Sequence, residues 1–208
     1  MLTPDDDRSD GGKIRYLSKD SVWRRHDAFL FDTLISTVRA GAPRHVSVVE
    51  DGSIIPNASF FSEMVPDGGM RRSAWFRRAL ATLSSSDLLF FDPDNGLEVP
   101  SKPLGVRDSR KYLYWSEVRL AWERGGSLLI FQHFPRENRE AYIDRLMSRL
   151  KQEAARAIVT PLRSTNVLFL LACQPRHEAV AKVALELVRS RWQERLDVRP
   201  VMEAVDGG

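Results

Sequence analysis

The sequence predicts an α/β fold in which helices cover a mostly parallel sheet that ends in a C-terminal antiparallel hairpin. Two apolar runs, Leu88–Phe91 and Ser127–Phe131, do not alternate with polar residues, which is typical of strands buried on both faces of a parallel sheet. Helical patterns lie between the runs, and this alternation predicts a doubly wound sheet. Two later strands, Ala157–Leu162 and Val167–Ala172, are separated by four residues, too few for a parallel crossover, so they form a hairpin.

The other predicted elements come from the spacing of apolar residues. Runs at helical spacing predict helices, short apolar runs bounded by turn residues predict strands, and a glycine pair after a helix predicts its end. In chain order, these elements are a helix over Ser21–Ala40, strands over His45–Val49 and Ser59–Phe61, helices over Arg71–Ser84, Trp115–Glu123 (ended by Gly125-Gly126) and Asn138–Arg156, and a helix over Val180–Trp192 with Arg and Lys on its outer face.

The composition is that of an ordinary globular protein. A length of 208 residues predicts one domain over 1–208, with an acidic segment at 1–20 and a tail at 193–208. The net charge of +3 neither requires nor excludes a nucleic acid. The single cysteine, Cys173, lies in an apolar run and is expected to be buried. We find no signal peptide and no run long enough to cross a membrane, and so expect a cytoplasmic protein without a membrane partner.

The segment Asp92-Pro93-Asp94-Asn95 directly follows the first buried strand and is the main candidate site. Pro93 has no N–H and Gly96 tolerates positive φ, so the chain leaves the sheet in a tight turn. Open α/β sheets bind ligands at the carboxyl ends of their strands. His133 follows the second buried strand at the same edge, either as a general base or phosphate contact, or as a structural residue. For the motif itself, the alternative is a plain turn.

The hairpin and the motif resemble the Rossmann-like fold of methyltransferases that use S-adenosylmethionine (SAM). In amino-methyltransferases of that fold, the fourth strand ends in Asp/Asn-Pro-Pro-Tyr/Phe, where this chain has Asp92-Pro93-Asp94-Asn95. The layout from Lys111–Trp115 through Gly125-Gly126 to Phe134-Pro135 is similar to ribosomal-RNA adenine-N6 methyltransferases of the RlmJ type, and more so to a bacterial family with an Asp-Pro-Asp-Asn-Gly-Leu-Glu motif. The resemblance spans roughly Phe60–Pro175. It implies a Rossmann-like three-layer sandwich, SAM as cofactor, and an amino group of RNA or DNA as substrate.

The resemblance implies a role for each motif residue. Asp92 and the carbonyl oxygen of Pro93 would accept the two N–H bonds of the target amine, so that its lone pair faces the methyl donor. Asp94 and Asn95 stand where the family has a second proline and an aromatic residue. This departure also suits a different polar substrate or a metal.

Two segments are candidates for binding the cofactor. Asp10-Gly11-Gly12 is the glycine-containing candidate for the family's cofactor loop. Glu50-Asp51 follows a short apolar strand, where an acidic residue of Rossmann-like folds binds the ribose hydroxyls, with a surface turn as the alternative. For Asp5, Asp6, Asp7 and Asp10, we expect a solvated acidic terminus, with a remnant of that loop or metal ligands as alternatives.

Basic and aromatic residues crowd the loop that follows the motif. Such a mixture suits a nucleotide or a nucleic-acid strand, because bases stack on aromatic rings and phosphates pair with cations. By contrast, charges of both signs along 138–156 are typical of a solvated helix face. The candidate substrate-binding residues are Lys102, Arg110, Lys111, Tyr112 and Tyr114.

Two other classes of function are open to this sequence. A non-catalytic relative acting as a binding or regulatory subunit would keep the fold without the cofactor loop. A metal-dependent nuclease would need a Glu and a Lys two residues apart on one strand. Glu98 and Lys102 are four apart, and Pro100 between them is unsuited to a central strand. The nuclease is therefore the weakest of the three hypotheses, and no metal ligands are assigned.

Overall fold

The computed structural model describes residues 1–3, 17, 20–39, 49–50 and 54–199. Contacts divide the chain into two compact units. One unit comprises Met1–Thr3 together with Phe61–Gly208, and the other comprises Pro4–Phe60. Among the described residues, no helix has the length and apolar character needed to cross a membrane.

In the unit over Pro4–Phe60, the described residues form helices α1 (Asp20–Trp23) and α2 (Ala28–Arg39). The single helix predicted over Ser21–Ala40 is therefore interrupted. The interruption has a local cause, because the carboxylate of Asp27 accepts the backbone N–H of Leu30 at 2.9 Å and so caps the start of α2.

The larger unit contains the sheet and the helices that cover it. Its described elements, in chain order, are α3 (Gly69–Thr82), β1 (Leu88–Phe91), β2 (Gly96–Leu97), β3 (Tyr112–Leu113), α4 (Trp115–Glu123), β4 (Ser127–His133), α5 (Arg139–Glu153), β5 (Ile158–Arg163), β6 (Val167–Cys173), α6 (Glu178–Trp192) and β7 (Asp197–Val198).

Five strands form one sheet in the order β1-β4-β6-β5-β7. β1 pairs with β4 in parallel, and β6 lies antiparallel between β4 and β5. The predicted hairpin is thus confirmed, and β1, β4 and β5 all run in the same direction. β7 adds a third antiparallel pair at the far edge. The described sheet is therefore mixed, and a mostly parallel sheet in a three-layer sandwich is not confirmed.

Side chains on the two faces of the sheet join different clusters, as the pleat of a strand requires. The main core contains Leu89 of β1, Ile130 of β4 and Leu170 of β6, packed with apolar residues of α3, α4 and α5. From the opposite face, Leu162 of β5 packs with Leu185 of α6 and with β7. Helices therefore contact both faces of the sheet.

The prediction that β1 is buried on both faces is wrong. Leu89 and Phe91 are buried, but Leu88 is 49% exposed and Phe90 is 56% exposed. β1 is an edge strand of the described sheet, and the face that carries Leu88 and Phe90 is not covered there. β4 fits the prediction in part, because Leu128 and Ile130 on one face are fully buried while Leu129 and Phe131 on the other face are half-buried.

Of the other sequence predictions, some are confirmed by the structure and some are wrong. The helix over Trp115–Glu123 has the predicted bounds, and Gly125 after it has a φ of +89°, as a helix-ending glycine requires. Cys173 is buried, as expected. Ser59–Phe61 is not a strand, and in the predicted tail Asp197–Val198 pairs with β5. The outer face of α6 is also less basic than predicted, since three apolar residues are exposed on that helix: Val180, Val183 and Leu187.

Candidate functional site

The motif turn leaves β1 and enters β2 through a set of backbone hydrogen bonds. Gly96 N donates to the carbonyl of Pro93 at 3.1 Å, and Asn95 N donates to the carbonyl of Lys111 at 2.8 Å. Pro93 itself is fully buried. Because backbone hydrogen bonds close the turn, the polar side chains of the motif are not needed to hold it. The motif side chains exposed at this edge are those of Asp92, Asp94 and Asn95.

Gln132 ties this turn to the neighbouring strand β4. Its side chain is buried, with Oε1 accepting Leu97 N at 2.7 Å and Nε2 donating to the His133 carbonyl at 3.0 Å. A Cβ added to Gly96 would lie 2.4 Å from Gln132 Oε1. Gln132 was not among the residues predicted from the sequence to be functional. The sequence did contain one indication of its role, which is that a polar residue directly follows the apolar run of a predicted buried strand.

Gly96→Ala is expected to lower the free energy of unfolding by about 1–3 kcal/mol. Gly96 has a φ of +88°, which strains an alanine, and the new methyl group would displace the Gln132 amide. Gly69→Ala in α3 is the matched control, because an added Cβ there meets no atom within 4 Å. Urea unfolding of both variants measures the difference. A loss as large for Gly69→Ala as for Gly96→Ala would contradict the proposed contact with Gln132.

The Asp92 carboxylate is an open acceptor at the carboxyl end of β1. Within the part of the chain that the structure describes, no donor is hydrogen-bonded to it. Asp94 differs, because its Oδ2 accepts the Thr3 hydroxyl at 2.7 Å. Residues 1–3 lie along this turn, with the Met1 amino group donating to the Asp92 carbonyl at 3.2 Å and the Leu2 carbonyl accepting Val65 N at 2.9 Å.

Neighbouring groups shift the ionisation of Asp92. Desolvation by the surrounding protein raises the pKa of its carboxyl, the Met1 amino group lowers it, Asp94 raises it and His133 lowers it, with a net increase above 3.8. A raised pKa means that the folded state favours the protonated acid. Stability from this group is present below pH 3.8 and is lost as the pH rises through the raised value. The ionised Asp92 thus costs stability, a feature that is frequent at functional sites.

The structure brings His133 close enough to Asp92 to influence its charge. His133 is exposed at the end of β4, and its ring meets the ring of Phe131 edge-on with centroids 4.8 Å apart. The predicted meeting of Asp92, Asp94 and His133 at one sheet edge is therefore observed. Asn95 takes part in the turn through its backbone. Among the described residues, no group of three His, Cys, Asp or Glu side chains could hold a metal ion.

The predicted substrate-binding residues have mixed surroundings. Arg110 is held by Asp67, which accepts its backbone N–H at 2.8 Å and lies 3.5 Å from its guanidinium. Tyr114 is 3% exposed, its hydroxyl donates to the Lys102 carbonyl at 3.0 Å, and burial raises the pKa of that hydroxyl. Tyr114 therefore belongs to the core and offers little surface to a substrate. The other candidates, Lys102, Lys111 and Tyr112, are half-buried.

The predicted cofactor residues lie almost entirely outside the described residues. This applies to Asp10, Gly11, Gly12 and Asp51, and to the acidic residues 5–7. Glu50 is described, half-buried and helical, and Val49 before it is helical rather than the end of the predicted strand. The rest of that strand, 45–48, lies outside the described residues.

Chemically, the sheet edge offers two exposed carboxylates beside an imidazole. Such a set can accept hydrogen bonds from an amine, attract a cation, or take up a proton. Comparison of the chain with protein-family models, with curated proteins and with solved structures found no match. Function is therefore inferred from the site and from the strand order.

Proposed function

We propose that this protein is a SAM-dependent methyltransferase-like enzyme that acts on an amino group of a nucleic acid. The observation that carries the proposal is the open carboxylate of Asp92 at the carboxyl end of β1, next to the parallel strand β4. An exocyclic amine needs acceptors for both of its N–H bonds if its lone pair is to point at a methyl group. Asp92 supplies one acceptor at the place where α/β sheets bind their ligands.

The second acceptor is the carbonyl of Pro93. A carbonyl oxygen has two lone pairs and this one receives the N–H of Gly96, which leaves one for the amine. Because Pro93 is fully buried in this structure, the turn must open for the amine to reach that oxygen. If the amine took up the methyl group, the C–S bond would break and leave a neutral thioether as the N–C bond formed, and the nitrogen would have to lose a proton. In this proposal Asp92 takes that proton, and its raised pKa makes the carboxylate a better base than an ordinary aspartate.

The charge of the site suits the proposed cofactor. SAM carries a positive sulfonium and a positive ammonium group, and it supplies the methyl group as an electrophile when bound. The exposed carboxylates of Asp92 and Asp94 would attract these charges. Asp10, Gly11, Gly12, Glu50 and Asp51 are proposed as cofactor-binding residues, as the resemblance implies.

We also propose that the complete sheet is the mostly parallel sheet of a Rossmann-like three-layer sandwich. Two observations support this proposal. β1, β4 and β5 share one direction, and β6 is inserted antiparallel between β4 and β5. Helices also contact the sheet from both faces, with α6 opposite the helices of the main core.

Titration with SAM and with its demethylated product tests the cofactor. A ligand that binds only the folded state stabilises it by about 2.7 kcal/mol at roughly one hundred times its Kd, so the melting temperature should rise. Calorimetry on the same protein gives the stoichiometry, and transfer of a labelled methyl group to RNA or DNA tests the substrate. No thermal shift at millimolar SAM would defeat the enzyme proposal. A shift without transfer to either nucleic acid would keep the cofactor and reject the substrate.

One observation favours a second candidate, a non-catalytic binding or regulatory subunit. The usual aromatic residue of the motif is replaced by Asn95, and the neighbouring Tyr114 is too buried to stack on a base. Nucleic-acid binding that is unchanged by SAM would identify this candidate. The nuclease hypothesis has no supporting observation among the described residues.

A further inference from the structure

A second concave site, which we call the α4–α5 cleft, lies beside the loop that follows the motif. Its volume is about 450 Å³, and it is lined by the segment after β2, the first turn of α4 and the end of α5. Sites for small molecules commonly have volumes of about 300–1,000 Å³. The cleft is therefore large enough for a ligand the size of a nucleotide.

Two arginines of the cleft share one buried carboxylate. Glu153 is 3% exposed in its side chain, and its oxygens lie 2.6 Å from Arg119 Nη2 and 2.6 Å from Arg149 Nη2. Arg119 and Arg149 are themselves 58% and 48% exposed. A guanidinium has five N–H donors, more than a shared carboxylate can accept. Glu153 thus holds two cations side by side while part of each stays available to solvent.

The acidic groups of the cleft are directed at the protein. Glu98 Oε2 accepts the backbone N–H of Trp115 at 2.9 Å, at the start of α4, and Glu153 is buried behind the arginine pair. Lys102 also lines the cleft, although its ammonium donates to the Arg107 carbonyl at 3.3 Å. Arg119, Arg149 and Lys102 outnumber Glu98 and Glu153 in the lining, so the cleft carries a net positive charge, and the exposed Arg119 and Arg149 present it to a ligand.

An apolar wall stands beside the arginine pair. The exposed side chains of Pro100 and Leu104 supply its accessible surface. Trp115 also lines the cleft but is only 8% exposed, and the guanidinium of Arg149 lies 5.8 Å from its ring centroid. Planar guanidinium groups bind phosphate through paired hydrogen bonds, and they also stack on flat rings. A ligand with a phosphate and a flat ring matches both parts of the cleft.

We propose that the α4–α5 cleft binds a nucleoside phosphate, with the phosphate on Arg119 and Arg149 and the base against the apolar wall. The phosphate can belong to a free nucleotide or to one unit of a nucleic-acid strand, since both present the same chemistry. This site does not use Asp92, so it stands whether or not the proposed methyl transfer occurs.

Calorimetric titration of the full chain with adenosine monophosphate tests the site. Arg119→Gln and Arg149→Gln are each expected to weaken binding about tenfold or more, because each removes a charge-assisted contact to phosphate. The matched control is Arg145→Gln, one turn earlier on α5, whose arginine pairs with Glu137 and lies 5.1 Å from the Tyr142 ring centroid. Arg145→Gln and Asp92→Ala should leave the affinity unchanged.

Two further ligands show whether the bound phosphate belongs to a free nucleotide or to a nucleic-acid strand, and whether the base contributes to binding. A short single-stranded oligonucleotide that competes with adenosine monophosphate and binds more tightly would identify a strand as the occupant, and failure to compete would identify a free nucleotide. Inorganic phosphate is expected to bind more weakly than the nucleotide, and equal affinities would overturn the role of the apolar wall. The proposal fails if neither the nucleotide nor the oligonucleotide binds at millimolar concentration, or if Arg145→Gln weakens binding as much as Arg149→Gln.

Discussion

Replacing Arg72 by methionine is expected to lower the free energy of unfolding by about 3–5 kcal/mol. Arg72 is 1% exposed, and its guanidinium donates to both carboxylate oxygens of Glu117 at 2.6 and 2.9 Å and to the Tyr112 carbonyl at 3.0 Å. Methionine fills part of the same space but leaves the Glu117 charge buried without its partner. The pair joins α3 to α4, so its loss is expected to weaken the helix layer that supports β1.

A second arginine of α3 provides the matched control. Arg78 also pairs with a glutamate, Glu63, but the two side chains are 55% and 48% exposed. Water screens such a pair, so Arg78→Met should cost much less than Arg72→Met. Urea denaturation of both variants gives the comparison. The double variant Arg72→Met with Glu117→Leu should recover part of the loss, and equal costs at Arg72 and Arg78 would show that the buried pair is not what stabilises this contact.

Asp92→Ala is expected to abolish methyl transfer while leaving the thermal midpoint little changed. The variant removes the acceptor proposed to orient the amine, and in the described structure that carboxylate makes no hydrogen bond that folding would lose. Asp87→Ala, at the opposite end of β1 with its side chain 88% exposed, is the control and should keep full activity. Methyl-transfer assays and thermal unfolding on the same preparations separate function from stability.

The raised pKa sharpens this test. Because the ionised Asp92 costs stability in the folded state, Asp92→Asn should be at least as stable as the parent protein at neutral pH. Its stability should also vary less with pH than that of the parent as the pH rises above 3.8. If Asp92→Ala and Asp92→Asn instead unfold the protein with no separable loss of function, the motif is a structural turn.

Local sequence rules predicted the features that depend on neighbouring residues. The four residues between β5 and β6 are too few for a crossover, and the hairpin is present with those strands paired. The glycine that ends α4 and the burial of Cys173 follow in the same way from local pattern. The position of Asp92 after β1 and of His133 at the end of β4 was likewise predictable, because the carboxyl ends of two parallel neighbours lie at one edge.

Features that depend on distant contacts were not predictable from local pattern. β1 lies at an edge of the described sheet with Leu88 and Phe90 exposed, and the run Leu88–Phe91 does not indicate this. The spacing of apolar residues indicates which side chains are apolar, but not which strands lie beside them. Tyr114 has an aromatic ring of the kind that stacks on bases, yet in the structure that ring is buried.

The sequence by itself therefore determined the α/β class, the hairpin and the candidate edge with Asp92, since short-range spacing and chain geometry decide these. Only the tertiary structure decided which polar groups meet. Arg72 and Glu117 are 45 residues apart, and Arg119 and Glu153 are 34 apart, so no local rule pairs them. A glutamate can be buried only where the packing of the helices places cationic side chains beside it. Which side chains those are depends on all the contacts between the helices.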